Sequence, residues 1–115
     1  LGYANELPKD DKRLSRYKQQ REQRGWDDTE LWSLDTTILK FIVSRLRPFA
    51  DNLHSYHPDF TMGQWQDLLH TMADDFEYCL EHRDDIFTKE SRKEFERKFN
   101  RGFKNLEKYF FHLWD

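Results

Sequence analysis

Apolar residues recur at helical spacing along three long stretches of this chain, and each stretch opens on a helix-start signal. In the first, Leu34, Ile38, Phe41, Ile42, Leu46, Phe49 and Leu53 follow each other by three or four residues, so they share one helix face. Asp27, Asp28 or Ser33 offers the N-terminal cap. Leu39 and Val43 widen the stripe, which marks this helix as the central one. Pro48 lacks a backbone donor, so the spacing predicts a kink near Ser44 or an end at Arg47. The second stretch carries Met62, Trp65, Leu69, Met72, Phe76, Cys79 and Leu80 behind Thr61 and Gln64, which form a capping-box pair. His82–Asp85 is a polar stop. The third starts at Thr88 and shows Phe95, Phe99, Phe103, Leu106, Phe110 and Leu113. Gly102 interrupts it, which predicts a kink or a close helix–helix approach.

Only four Gly and three Pro are present, too few for the many reversals of a sheet protein. The expected class is therefore all-α: a small helical bundle of three amphipathic helices plus a basic N-terminal arm or helix. The mean hydropathy of −1.07 is low for a folded domain. Aromatic residues make up 17% of the chain, however, and each buries a large area. Trp32, Trp65 and Trp114 are expected to pack against one another, with Trp26 as a hydrophobic staple.

Charge divides the chain. Residues 1–25 hold seven Lys or Arg against four acids, whereas residues 26–115 hold twelve against eighteen. The expected organisation is an arm over residues 1–25, helical only marginally, and one helical domain over residues 26–115. Asp10 or Asp11 caps the arm's helix and Gly25 ends it. The net charge of −3 argues against a general polyanion binder. The lone Cys79 excludes an internal disulfide, which fits a reducing compartment. The longest strictly apolar run, Phe41-Ile42-Val43, is too short for a membrane span, and no secretory signal is read.

The residues that carry chemistry are few. Lys12, Arg13, Arg16, Lys18, Arg21 and Arg24 surround the arm helix and are the candidate contacts to a macromolecule, phosphates included. Asp35 lies on an otherwise apolar row with Leu39, Ile42, Leu46 and Phe49, so it is expected to be capped or paired, or else to act as a functional acid. His70 and Asp74 share a helix face at a spacing that suits metal ligands, but no second Glu-x-x-His pair accompanies them, and they remain weak candidates. His54 and His57 flank Ser55-Tyr56 in a loop without a nucleophile motif nearby. Cys79 falls on a core stripe. No catalytic residue and no cofactor is assigned.

Arg24-Gly25-Trp26-Asp27-Asp28 leads into Leu31-Trp32-Ser33-Leu34-Asp35-Thr36-Thr37-Ile38, and the chain ends in Tyr109-Phe110-Phe111-His112-Leu113-Trp114-Asp115. With Trp65 between them, these segments resemble a group of small proteins encoded by tailed bacteriophages and prophages, over roughly residues 20–115. The resemblance implies a viral origin and a location in the host cytoplasm. It supplies no activity and no catalytic residue. The expected function is a non-enzymatic accessory protein that binds a host or phage protein, an anti-CRISPR-like inhibitor of host defence being one form. Two alternatives stand beside it: a nucleic-acid-binding factor using the arm, and a small-molecule or metal-binding bundle. The surplus apolar surface of the central helix leaves room for a homodimer.

Overall fold

The computed structural model describes all 115 residues and is all-helical, without strands. Four helices form: α1 Leu14–Arg24, α2 Leu34–Asp51, α3 Met62–His82 and α4 Lys89–Tyr109. Short 3-10 turns lie at Ala4–Glu6, Asp28–Leu31 and Phe110–His112. The chain groups into two units, Leu1–Phe41 and Ile42–Asp115. The division falls within α2, whereas the charge pattern set it at Gly25. The physical reason is that α1 is held to residues just beyond Gly25.

In the first unit the arm is a formed helix with a buried anchor. Asp11 accepts from the Arg13 backbone N–H and so caps the turn that leads into α1. Gly25 ends α1 at φ 87°, a left-handed conformation that a Cβ disfavours. Tyr17 is fully buried and meets Trp32 edge-on at 6.1 Å, and Tyr3 stacks on the same indole at 6.2 Å. Trp26 is not a staple: its half-exposed ring lies under the Arg24 guanidinium, 3.6 Å from the ring centroid. Asp27 is the buried cap of the Asp28–Leu31 turn. It accepts from the Thr29 N–H at 2.9 Å and from Arg21 at 2.6 Å, while its own N–H donates to Glu30.

Thr29 is the hub of this unit. Its hydroxyl donates to Asp27 and accepts from the N–H groups of Tyr3 and Ala4 at 2.9 and 3.1 Å. The backbones approach so closely that a Cβ on Gly2 would sit 2.7 Å from the Glu30 nitrogen. Thr29→Val keeps the shape but orphans both N–H groups. It should cost about 2 kcal/mol and release the first residues, seen as faster amide exchange at Tyr3 and Ala4.

In the second unit α3 runs antiparallel to α4 and to the end of α2. The capping boxes form as spaced in the sequence at Thr61–Gln64, and a second pairs Thr88 with Ser91. Trp65, Leu69, Met72, Ala73, Phe76 and Cys79 of α3 are fully buried. Phe76 meets Phe103 edge-on at 4.9 Å, and Trp65 meets Tyr109 at 5.6 Å. Gly102 marks a close approach: a Cβ there would lie 3.0 Å from the Phe76 ring.

Three expectations fail here. Pro48 does not end α2 at Arg47: the helix continues to Asp51. Both Ser44 and Pro48 are exposed, so water can reach the carbonyl that loses its helical donor. Of the predicted stripe, Leu34, Ile38 and Phe41 are half-exposed and Leu46 is buried, Ala50 being the other buried residue of α2. The three tryptophans do not form one core. Trp65 is buried among His57, Phe60 and Tyr109, whereas Trp32 packs on Tyr3 and Tyr17, and Trp114 is exposed.

Candidate functional site

The arm's arginines are engaged by the chain's own acids. Arg13 pairs with Asp11 at 2.9 Å, Arg21 with Asp27 at 2.6 Å and Arg24 with Asp28 at 2.7 Å, while Arg16 stands 3.8 Å from Asp28. The hydrogen bonds from Arg13 hold the Asp11 carboxyl at about 2. Burial pushes Asp27 up, but Thr29 and Arg21 outweigh it and the net direction is down. Lys12 and Lys18 stay exposed. Lys18 and Arg21 line an open cleft of about 360 Å³ together with Leu7, Lys9 and Leu14. A phosphate reaching α1 would have to displace carboxylates from four of the six basic residues, which weakens the arm as a polyanion contact.

Asp35 is exposed in the first turn of α2. Its carboxylate accepts from the Ser33 hydroxyl at 2.7 Å and from the Thr36 N–H at 2.9 Å. Those bonds are the work of a helix start rather than of an active-site acid.

His70 and Asp74 both face Arg47. The guanidinium donates to Asp74 at 2.8 Å and to Glu77, and it lies 3.4 Å from His70 Nδ1. His70 Nε2 is turned the other way, 2.7 Å from Asp51. Arg47 therefore stands where a cation between His70 and Asp74 would stand, and no group of three or more His, Cys, Asp or Glu is arranged to hold a metal. Cys79 is buried, and desolvation pushes its thiol up to about 11, away from nucleophilic use.

The loop histidines differ from each other. His54 is exposed, and its backbone N–H, like that of Ser55, donates to the Asp115 carboxylate at 2.8 and 2.7 Å. Burial raises the Asp115 carboxyl, but the bonds from His54 and Ser55 outweigh it and hold it at about 2. A carboxyl depressed below its ordinary 3.8 favours the docked state above about pH 4, and that contribution is lost as pH falls through about 2. The Ser55 amide resonance should therefore titrate with a midpoint near 2 in NMR, and Asp115→Asn should abolish the titration. His57 is nearly buried instead. Its ring meets His112 at a tilt, with centroids 4.2 Å apart, and it accepts the Asp59 N–H on Nδ1 at 3.0 Å, which leaves Nε2 protonated in the neutral ring. His57, Trp65, His112, Tyr56 and Trp114 line a pocket of about 100 Å³.

Two features escaped the residue-type reading. One is Asp75, fully buried and gripped by Arg101 at 2.6 and 2.8 Å. It lies three residues after Met72 and four before Cys79, on the apolar row of α3, so its position was a readable signal. The other is the apolar surface of the first unit. Leu31, Leu34 and Ile38 are 53%, 52% and 47% exposed at helical spacing, beside Trp32 at 50%. Large apolar side chains exposed together at this spacing are candidates for an interaction surface, as a lone exposed leucine is not. Comparison of the chain with protein-family models, with curated proteins and with solved structures finds no match.

Proposed function

We propose that this chain is a non-enzymatic binding protein that occupies the surface of another protein through Leu31, Trp32, Leu34 and Ile38. The observation that carries the reading is the exposure of these four large apolar side chains together in the first unit. Aromatic and aliphatic anchors of this type dominate interface energies when a partner desolvates them. The engagement of His70, Asp74 and Asp35 in structural contacts supports a role without chemistry of its own. In this reading the three amphipathic helices are the scaffold and the basic arm braces the docking surface. The resemblance to phage-encoded proteins makes a host or phage protein in the host cytoplasm the partner, and inhibition of a host defence the biological form. A second copy of the chain is the self-partner version.

Capture from host lysate tests this, with light scattering on the purified chain for the self-partner. The wild type should retain a stoichiometric partner, or a dimeric mass, at both 50 mM and 500 mM salt, because apolar contacts are weakly screened (about 3 Å Debye length at 1 M against 10 Å at 0.1 M). Leu34→Asp with Ile38→Asp should keep the helical circular-dichroism signal and lose the partner at least about tenfold, the cost of two desolvated charges. Retention by the double variant, or no partner at either salt, overturns the reading.

A further inference from the structure

The Ile42–Asp115 unit carries a second surface whose chemistry is different. α4 holds eight Lys or Arg against four acids, in a chain whose net charge is −3. Three of the eight are spoken for: Arg101 and Lys98 face Asp75, and Arg97 pairs with Glu94. Lys89, Lys93, Lys104 and Lys108 are exposed and form no ion pair. At 100° per residue, Lys93, Arg97, Lys104 and Lys108 fall within an arc of about 60°, and from Lys89 to Lys108 the row is about 28 Å long.

The row ends on aromatic rings. Lys108 Nζ lies 5.3 Å from the centroid of Tyr109, which meets His57 edge-on at 5.5 Å. His57 is a wall of the 100 Å³ pocket, with Trp114 and Tyr56 on its rim, 71% and 54% exposed. The pocket is too small for a drug-sized ligand, which needs about 300 Å³ or more, but it suits one flat ring. Inside it, Trp65 is 1% exposed and forms the floor.

We propose that this unit binds single-stranded nucleic acid, with the phosphates along Lys89, Lys93, Lys104 and Lys108 and bases stacked on Trp114 and Tyr56. The lysine row alone would accept any phosphate lattice. Exposed aromatic faces at its end require bases that are not already paired, and this selects a single strand over a duplex. The two proposals share no residue, so this inference and the protein-docking reading fail independently.

Fluorescence anisotropy with labelled (dT)20 is the test, with a 20-base-pair duplex and phosphatidylserine vesicles as the alternative polyanions. Four phosphate contacts at a slope of about −0.7 each give a total near −2.8, or about 50-fold weaker binding to (dT)20 at 200 mM than at 50 mM salt. Lys93→Gln, Lys104→Gln and Lys108→Gln together should weaken binding at least about tenfold at 50 mM salt. Lys12→Gln with Lys18→Gln should leave it unchanged. Trp114→Ala should weaken it by about 5- to 100-fold, the worth of one stacked base, and (dT)20 should quench tryptophan fluorescence in the wild type only. No binding at 50 mM salt, an unaffected triple variant, or tighter binding to the duplex or to the vesicles overturns the proposal.

Discussion

Arg101→Ala should lower the stability of the Ile42–Asp115 unit by about 3 kcal/mol, which for a domain of this size is a fall in Tm of about 12–24 °C. Asp75 is fully buried, and Arg101 is its bidentate partner at 2.6 and 2.8 Å. Deleting the guanidinium leaves a carboxylate without its counter-charge in the middle of the α3–α4 contact. The figure sits at the low end for a broken buried pair because the Arg101 side chain is 41% exposed, so water can follow it out. Lys98, 4.0 Å from Asp75, offers partial relief. Adding Lys98→Met to Arg101→Ala should deepen the loss, whereas Asp75→Asn with Arg101→Met should recover part of it. Thermal denaturation followed by circular dichroism checks all three. An Arg101→Ala variant within about 1 kcal/mol of wild type would show that Asp75 is solvated through another route.

Gly102→Leu should be as damaging, by about 3 kcal/mol or more, through excess volume instead of lost charge. A Cβ at this position would lie 3.0 Å from Phe76 Cε1 and 3.3 Å from Asp75 Cβ. Neither neighbour can retreat, because the Phe76 ring is fully buried against Phe103 and Asp75 is fixed by Arg101. A leucine must force α4 away from α3 and weaken the Arg101 contact with it. Gly102→Ala separates two terms. Alanine gains about 1 kcal/mol of helix propensity over glycine, and the overlap with an immovable ring opposes it, so a small net loss is expected. A clear gain in Tm for Gly102→Ala would show that the helices can shift apart freely.

Much of the helical layout was readable before any coordinates. Thr61–Gln64 is a local pattern that satisfies its own backbone groups whatever the tertiary context, and it starts α3 where the spacing places it. Gly102 was legible for a similar reason: glycine inside a strong helical pattern needs a cause, and contact with Phe76 supplies it. Leu34, Ile38 and Phe41 were misread because periodicity identifies a face, not how much of its length is covered. The same stripe is buried further along α2, at Leu46, with Ala50 the other buried residue. Trp114 was misread because size suggests burial, while its position beyond the end of α4 leaves no neighbouring helix to cover it.

The arm shows the limit of reasoning from charge alone. Six basic residues in thirteen positions resemble a polyanion grip, yet Asp11, Asp27 and Asp28 lie close enough in sequence to claim the arginines. The candidate nucleic-acid row on α4 was hidden by the opposite error. Averaged over residues 26–115 its charge is cancelled by acids on other elements, and only the helix boundaries isolate it.

The buried thiol of Cys79 has a practical consequence. Its sulfur sits against the Phe95 carbonyl at 4.0 Å, on the inner side of α3, and its thiolate is suppressed. A disulfide reagent in the surrounding solution can reach it only during moments when α3 and α4 part. With no other cysteine to contribute signal, the rate of colour release measures how often that happens. The native protein thus carries its own clock for helix separation, against which variants at Arg101 and Gly102 can be ranked without denaturant.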